Sequence, residues 1–417
     1  MRGVLLALLV SARPAAALPK ADDAFLEDLS RRSFQFFWDY ADPATGLVLD
    51  RARADGSGPD KDHSQVASAA TTGFGLSALC IAAERDWVPR RAARARAVTT
   101  LRFLAEKAPR EHGWYYHWMD SRTGVRVWNS ELSSIDTALL LAGVLTAKGC
   151  FGDAEVAGLA DVVLDGVDYP WMLAGDPGLL SMGWYPDRGF IPSRWDTYSE
   201  GPLVYILGAA SRTHGLSSGT WRAWRRDWTE YGGVRYLHAG TPLFTHQYPQ
   251  AWVDLRGRRD SDGTDYFANS AAATRVHRRF CLDLAKEFPG YSADVWGVTA
   301  SDGPKGYVAW GGPPRHPDID GTVVPAAAGG SLMFSPKETL RALRAMKERY
   351  GARIWGPYGF ADAFHPTTGW TGPDVLGIDV GITLLSAENL RTGDVWRWFM
   401  ANPEVPAALD RIGVRKH

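Results

Sequence analysis

The sequence predicts an all-α fold in which paired helices form a ring and long aromatic loops gather at one end. Helical patterns recur along nearly the whole chain, and convincing strand patterns are few. Many of the helices follow one another in pairs separated by long loops rich in Gly, Pro and aromatic residues. Loops of that length inside a compact domain usually carry function. We therefore expect the loops and the helix ends to hold the functional groups.

Each helical pattern places apolar residues three or four positions apart, so that one stripe faces the core. In the first pattern Phe25, Leu29 and Phe36 form this stripe. The predicted helices are 24–40, 64–84, 90–106, 130–147, 153–165, 199–213, 219–231, 266–288, 336–350, 374–390 and 394–400. No charge run or low-complexity linker interrupts the series, so 18–417 is predicted to be a single domain.

A short motif recurs between helical patterns. The segments 42–46 (DPATG), 120–124 (DSRTG) and 365–369 (HPTTG) each follow a cluster of aromatic residues. The shared Thr-Gly ending predicts a tight turn with the glycine at positive φ. Similar turns after similar helices are typical of a ring of helical hairpins.

Charge and cysteine content exclude several classes of protein. The 417 residues include 46 Lys and Arg against 47 Asp and Glu, so no basic excess favours nucleic acid or an anionic membrane as a partner. The three cysteines, Cys80, Cys150 and Cys281, imply no disulfide framework. The apolar fraction of 45% is that of a soluble globular protein.

The first 17 residues have the pattern of a secretory signal peptide. A basic start, Met1-Arg2, precedes a short apolar run, GVLLALLV, and then the small residues Ala15 to Ala17. The run is too short for a stable transmembrane helix. We therefore expect cleavage after Ala17, and a periplasmic or secreted mature protein without a membrane partner.

Tryptophan is unusually frequent, with 18 residues against 15 Tyr and 16 Phe. An indole offers a flat apolar face and one N–H donor, which suits stacking against sugar rings, although a large helical core also takes up tryptophan. The long loops set such aromatic residues beside carboxylates, as in 114–120 (WYYHWMD) and 195–200 (WDTYSE). This combination, without net charge, favours a neutral polyhydroxylated ligand.

Glycoside hydrolysis needs two carboxyl groups, one acid and one base or nucleophile. Glu131 and Glu200 stand at predicted helix starts, whereas Asp136 and Asp379 lie inside apolar helical runs. Capping and the helix dipole alone would explain an acidic residue at a helix start. A carboxylate in an apolar run is costly unless it is paired, so a core salt bridge is the alternative for Asp136 and Asp379.

Several motifs in order resemble the bacterial glycoamylase-like family, which includes endo-β-1,2-glucanases and enzymes that release sophorose. The resemblance covers about residues 25–413, nearly all of the mature chain. The segments that carry it are FQFFW (34–38), AATTGFGL (69–76), ELSSIDTALLLAG (131–143), FTHQY (244–248), DYFANS (265–270), WGVTASDG (296–303), YGFADAF (358–364) and GIDVG (377–381).

The resemblance implies an (α/α)6 toroid with its cleft at one end, and an inverting hydrolase of β-1,2-linked glucose that needs no cofactor and no metal. It implies Glu200 as the acid, Asp379 as a candidate base and Glu131 as a further catalytic or subsite carboxylate. The identity of the base stays open between Asp379, Glu131 and Asp136. Residues expected to contact sugar are Trp118, Asp120, Asp136, Trp195, Asp196, Tyr198, His246, Gln247, Tyr358 and Asp362.

Two other functions fit the same sequence. One is a non-catalytic glucan-binding protein, because abundant tryptophan serves binding equally well. The other is a transglycosylase, or a hydrolase of another glucosidic linkage, on the same fold. In each case the expected partner is a β-glucan or a gluco-oligosaccharide and the expected state is a monomer.

Overall fold

The computed structural model describes residues 18–237 and 240–417, and the predicted signal peptide lies outside these ranges. The protein is mostly helical, which confirms the predicted class, with short strands between the helices. The α-helices are α1 (Lys20–Tyr40), α2 (Ala69–Glu84), α3 (Arg90–Glu106), α4 (Ser134–Phe151), α5 (Ala154–Asp165), α6 (Tyr169–Met172), α7 (Pro202–Ala210), α8 (Thr220–Ala223), α9 (Phe244–Trp252), α10 (Tyr266–Asp283), α11 (Pro325–Gly329), α12 (Pro336–Tyr350), α13 (Gly377–Arg391), α14 (Asp394–Met400) and α15 (Glu404–Arg411).

The strands are two to four residues long and pair antiparallel. They are β1 (Arg51–Arg53), β2 (Val66–Ser68), β3 (Arg110–Glu111), β4 (Trp114–Tyr115), β5 (Trp118–Asp120), β6 (Leu132–Ser133), β7 (Gly183–Tyr185), β8 (Gly189–Phe190), β9 (Trp228–Tyr231), β10 (Val234–Leu237), β11 (Arg258–Arg259), β12 (Ala300–Gly303), β13 (Gly306–Ala309), β14 (Trp355–Gly356), β15 (Gly359–Phe360), β16 (Asp374–Leu376) and β17 (Arg415–Lys416). The pairs are β1–β16, β2–β5, β3–β4, β6–β7–β8, β9–β10, β11–β17, β12–β13 and β14–β15.

Several predicted helices have the bounds observed. Patterns 90–106, 336–350 and 394–400 coincide with α3, α12 and α14. The prediction of a helix over 219–231 is wrong beyond Ala223, because Trp228–Tyr231 pairs with Val234–Leu237 as a hairpin. Gly232 and Gly233 form the hairpin turn at φ of 57° and 78°, which side-chain-bearing residues rarely adopt. The sequence analysis also missed α9, whose internal Pro249 disguises the pattern.

The recurring Thr-Gly motif is confirmed as one turn used three times. Gly46, Gly124 and Gly369 have φ of 72°, 73° and 81°. The N–H of each of these glycines donates to the carbonyl four residues earlier, at 2.7, 2.8 and 3.2 Å respectively. The first side chain of each motif, Asp42, Asp120 or His365, accepts backbone N–H groups of its own turn.

Helices α2, α4 and α13 pack against one another through glycine. A Cβ on Gly73 of α2 would lie 2.2 Å from the carbonyl oxygen of Leu139, and one on Gly143 of α4 would lie 2.1 Å from that of Gly73. On the other side of α2, a Cβ on Gly381 of α13 would lie 2.6 Å from the ring of Phe74. These close approaches fix the relative positions of three buried helices.

Each of these helices begins directly after a short strand. Strand β2 leads into α2, β6 into α4, and β16 into α13. Isolated bridges join Leu49 to Ala67 and Tyr116 to Leu132, so backbone pairing links the strands around the three helix N-termini. The fold therefore gathers these N-termini, with their connecting segments, into one region.

Helix α4 is apolar and long enough to cross a membrane by composition, the one such helix in the described residues. In the structure 78% of this helix is buried against protein, as in a core helix. Cys80, Cys150 and Cys281 are buried, and none of the three forms a disulfide.

We predict that Gly73→Ala lowers the free energy of unfolding by about 1–3 kcal/mol, the usual cost of overpacking a close contact. Urea denaturation followed by circular dichroism measures this change. The control is Gly158→Ala on α5, where nothing lies within 4 Å of the added Cβ. That variant should be more stable by about 0.5–1 kcal/mol, because alanine favours the helix. Equal stability of the two variants would contradict the close approach of α2 and α4.

Candidate active site

Carboxyl groups cluster where the buried helices begin. Asp136 is the third residue of α4 and Asp379 is the third residue of α13. Glu200 lies two residues before α7. The positive end of a helix dipole stabilises a negative charge at these positions, which partly offsets the cost of burying it. Local sequence therefore allows acidic residues here, and the packing of the helices brings them together.

His117 lies between two carboxylates. Its Nδ1 is 2.9 Å from Oε1 of Glu131, and its Nε2 is 3.5 Å from Oδ1 of Asp136. The backbone fixes this position, because the N–H of His117 donates to the carbonyl of Glu131 and the N–H of Ala69 donates to the carbonyl of His117. The imidazole also stacks on Trp118, with ring centroids 3.5 Å apart.

The charges of this group support one another. Burial alone would lower the pKa of His117, but Asp136 and the hydrogen-bonded Glu131 raise that pKa to about 9. Burial alone would raise the pKa of Glu131, but the hydrogen bond and charge of His117 lower it. At neutral pH the group is therefore an imidazolium hydrogen-bonded to the Glu131 carboxylate, with Asp136 on its other side.

Glu200 faces this group as a proton donor. Burial, and then the negative charge of Asp136, raise the pKa of Glu200 to about 8, although the positive charge of His117 acts in the opposite direction. Burial also raises the pKa of Asp136, while His117 and the hydroxyl of Ser133 stabilise its charged form. Glu200 is thus a carboxylic acid that keeps its proton at neutral pH.

A second acidic group surrounds Asp379. Nε of Arg51 is 3.1 Å from Oδ2 of Asp50, and its Nη1 is 2.9 Å from Oδ2 of Asp302. The N–H of Asp302 donates to Oδ2 of Asp362 at 2.8 Å, and the side chains of Asp362 and Asp379 line one small cavity within hydrogen-bonding range of each other. Strand β1 brings Asp50 and Arg51 here, because its partner β16 continues directly into α13.

Asp379 is set to accept a proton. Burial raises the pKa of Asp379 to about 6, with further increases from Asp302 and Asp50, while the hydrogen bond from Asp362 and the charge of Arg51 lower it. Above that pH Asp379 is ionised, whereas Glu200 holds its proton up to about pH 8. Two carboxyl groups whose environments separate their protonation states form an acid/base pair.

Two tyrosines and Asp50 connect the two acidic groups. Burial, and then the charges of Asp379 and Glu200, raise the pKa of Tyr248. Tyr307 lies on the β12–β13 hairpin, and 59% of its surface is exposed. Burial and the charges of the same two carboxylates raise the pKa of Tyr307. The charge of Asp50 acts on both His117 and Asp379. The acid and the base candidates therefore belong to one site, over which the hairpin places a tyrosine.

Five predicted sugar contacts lie in the packed interior. The indole N–H of Trp195 donates to Oγ of Ser134 at 2.8 Å, and the amide of Gln247 donates to the carbonyl of Ala327 at 2.9 Å. The five buried side chains are Trp195, Tyr198, His246, Gln247 and Tyr358. Their direct contact with sugar stays a prediction.

Two further predicted sugar contacts are Asp120, at the end of β5, and Asp196, on the segment before α7. Oδ1 of Asp120 accepts the N–H groups of Arg122 and Thr123, which occupies this oxygen within its turn. Asp196 is half exposed and lies 3.5 Å from Arg225. The structure therefore shows local partners for both carboxylates, and their contact with sugar also stays a prediction.

The sequence analysis missed Asp50, Arg51 and Tyr307. Asp50 and Arg51 follow the first Thr-Gly turn in a segment without helical periodicity. Tyr307 lies on a four-residue strand between Gly306 and Val308, where only the turn glycines were visible as a signal. Their importance depends on pairing with distant segments, which periodicity does not report.

The ligand atoms of His117, Glu131 and Asp136 lie within 4.8 Å of one another, close enough for a metal ion. Each ring nitrogen of His117 already faces one carboxylate, and the raised pKa keeps the ring protonated. A metal ligand must be a neutral imidazole. The donor set therefore fits an ion-paired imidazolium better than a metal centre.

Comparison with known proteins gives one family and close structural relatives. The family described as "Putative glucoamylase" matches residues 192–403. A protein of the same description from Bacteroides uniformis is 30% identical, with a TM-score of 0.88 over 96% of this chain and 99% of that one. An endo-β-1,2-glucanase from Chitinophaga pinensis, solved with sophorotriose and glucose, is 29% identical, with a TM-score of 0.86 over 96% of this chain and 99% of that one.

A curated relative is longer than this chain. The exo-β-1,2-glucooligosaccharide sophorohydrolase (non-reducing end) of Parabacteroides distasonis is 27% identical over 95% of this chain. The match spans 59% of the length of that protein.

We predict that His117→Asn destabilises the protein more at pH 6 than at pH 9.5, by about 3 kcal/mol. The folded-state pKa of His117 lies above its ordinary value of 6.5, at about 9, and one pKa unit corresponds to about 1.4 kcal/mol. This stabilisation is therefore complete below about pH 6.5 and is lost as the pH rises through about 9. Urea denaturation at both pH values measures it.

The control is His214→Asn, because His214 is exposed. This variant should unfold like the wild type at both pH values. A loss in His117→Asn that does not change with pH would mean that the ring acts through packing alone.

Proposed function

This chain belongs to the glycoamylase family, and we propose that it is an inverting glycoside hydrolase of β-1,2-glucan or its oligosaccharides. The single observation that carries the proposal is the acid/base pair, in which half-buried Glu200 and buried Asp379 favour opposite protonation states in one site. The linkage follows the activities of the sophorohydrolase and the endo-β-1,2-glucanase to which the chain is similar.

In the proposed reaction Glu200 gives its proton to the glycosidic oxygen as the bond from that oxygen to the anomeric carbon breaks. A water molecule attacks the anomeric carbon from the opposite face of the sugar. Its proton passes to Asp379, directly or through a water or a substrate hydroxyl. The attack inverts the configuration of the anomeric carbon.

The His117 group tunes the acid in this mechanism. The negative charge of Asp136 helps Glu200 to keep its proton, and His117 limits that effect. Glu131 is bound to His117 and its pKa is lowered, so it is poorly suited to donate a proton. We assign Glu131 to holding the imidazolium, and to accepting hydrogen bonds from sugar hydroxyls, rather than to proton transfer.

Aromatic side chains beside the carboxylates provide stacking surfaces for sugar rings. Trp118 is half-buried against His117, and the half-exposed Trp128 packs edge-on against it at 5.4 Å between ring centroids. Tyr307 is exposed on the opposite hairpin. A glucose chain running between Trp118 and Tyr307 would pass Glu200 and Asp379. Tryptophan and tyrosine suit such contacts because they combine an apolar face with a polar tip.

The proposal includes an (α/α)6 toroid and a single domain over 18–417. Support comes from the gathered N-termini of α2, α4 and α13, and from relatives that match along nearly the whole chain. A toroid gathers helix ends around one pit, which explains how carboxyl groups far apart in sequence meet.

We also propose that the protein is exported and acts in the periplasm or outside the cell. The support is the signal-peptide pattern of residues 1–17. Mass spectrometry of the protein isolated from periplasm or culture medium should give an N-terminus at Leu18. Protein that keeps Met1 and stays in the cytoplasm would contradict export.

We predict that Glu200→Gln and Asp379→Asn each lower kcat on β-1,2-glucan by about 10²–10⁴-fold, the usual value of a positioned general acid or base. Release of reducing sugar measures kcat. Proton NMR of the first product formed by the wild type should show the α-anomer. The control is Glu230→Gln on the exposed face of β9, which should retain wild-type turnover.

Different failures point to different functions. Unchanged turnover in Glu200→Gln would remove Glu200 from the chemistry. Glucan binding without hydrolysis by the wild type would indicate a binding protein, and a β-anomer as first product would indicate retention.

A further inference from the structure

We propose that Asp362 is a positioning residue, a neutral carboxylic acid that donates a hydrogen bond to Asp379 and thereby orients the base. The inference depends on the proposed function only in calling Asp379 a base. The two buried carboxyl groups line one cavity whatever the reaction is. Sequence reasoning assigned Asp362 to sugar binding, and the placement of its side chain favours this different role.

Asp362 is as deeply buried as Asp379, and both line the same small cavity. The exposed fraction of Asp362 is 3%, against 5% for Asp379. The backbone on both sides is fixed, since the N–H of Asp362 donates to the carbonyl of Asp374 at 3.0 Å and Phe364 pairs with Val323. A side chain held there has little surface left for a sugar ring.

The hydrogen-bonding inventory requires a proton between the two carboxyl groups. Oδ2 of Asp362 accepts the N–H of Asp302, whereas Oδ1 of Asp362 and Oδ2 of Asp379 are buried and meet no protein donor within residues 18–237 and 240–417. The two side chains line one small cavity and lie within hydrogen-bonding range of each other. Ionised carboxylates only accept hydrogen bonds, so one member of the pair must be protonated.

The surroundings place the proton on Asp362. Asp379 stands in the first turn of α13, where the helix dipole favours a negative charge, and Arg51 stabilises its charged form. Asp362 is buried beside that charge, which raises its pKa well above the ordinary value. The neutral acid then donates to the charged base.

Other groups around the pair add mainly negative charge. The titratable and charged side chains that face it are Asp50 and Arg51 at β1, Glu200 before α7, Tyr248 on α9, Asp302 on β12, Tyr307 on β13 and Asp374 on β16. Arg51 is shared with Asp50 and Asp302, and a second cation, Arg53, is paired with Asp374 at 2.9 Å. Ionisation of both Asp362 and Asp379 would be strongly unfavourable here.

The hydrogen bond from Asp362 has two consequences for Asp379. It holds one oxygen of the carboxylate in a fixed direction, which leaves the other oxygen to receive a proton from water or substrate. It also stabilises the ionised form of Asp379 against the effect of burial, so that the base remains charged at lower pH.

Asparagine provides the matched variant. The amide oxygen of Asp362→Asn can accept the N–H of Asp302, and its NH2 can donate to Asp379, as a neutral acid does. Asp362→Ala removes both interactions. Asp318→Asn, at a side chain that is 70% exposed, controls for the loss of a carboxyl group.

The first measurement is the pH profile of kcat and KM on β-1,2-glucan. We expect Asp362→Asn to retain kcat within about 10-fold, with an unshifted acidic limb. We expect Asp362→Ala to lose kcat by about 100-fold and to move its acidic limb about one pH unit upward, since Asp379 loses the donor that stabilises its charge. KM should change little in either variant. Equal losses in both variants, without a shift of the acidic limb, would overturn the proposal.

The second measurement does not depend on hydrolysis. Infrared difference spectra of the wild type minus Asp362→Asn, at pH 7, should contain the C=O stretching band of a protonated carboxylic acid. Absence of that band would show that Asp362 is ionised and would overturn the proposal. If the wild type fails to cleave β-1,2-glucan, the proposed function fails, and the infrared result still decides the state of Asp362.

Discussion

The central constraint on this molecule is the number of carboxyl groups that it brings together around few cations. Within the described part of the site, eight carboxyl groups lie near three cations, His117, Arg51 and Arg53. The eight are Asp50, Glu131, Asp136, Glu200, Asp302, Asp362, Asp374 and Asp379. A buried charge needs a partner, so the unpaired members of this set must hold protons at neutral pH. Acid/base chemistry requires this combination of a protonated carboxyl group and an ionised carboxylate in one site.

The helix ends of the scaffold lower the energetic cost of this arrangement. Asp136 and Asp379 occupy equivalent positions, each the third residue of a buried helix that follows a short strand. The helix dipole stabilises both, and the strands bring cations from other segments to them. Glycine contacts between α2 and its neighbours hold these ends in register. A shift of one helix would separate a carboxylate from its cation, so packing far from the site governs its electrostatics.

Secondary structure was predictable where the sequence of a helix alone carries the helical pattern. The bounds of α3, α12 and α14 follow from their sequences, because each carries an apolar stripe and a clear beginning. Strand β9 was mistaken for the end of a helix over 219–231, because the helical pattern before it hid the effect of the turn glycines that follow. Strands of two to four residues are too short to show a period of two. Their pairing is decided by the segments that they meet.

The sequence alone determined which residue types were available: carboxylates at helix starts and in apolar runs, aromatic loops, and a family resemblance that names Glu200 and Asp379. Only the tertiary structure decided which carboxyl groups are charged. Protonation depends on burial and on neighbours brought from distant segments, as His117 meets Asp136 and Arg51 meets Asp302. Asp362 illustrates the difference, since its motif suggested a ligand contact and its burial beside Asp379 gives it a proton instead. Electrostatic energy depends on distances in space, and those distances are set by the fold.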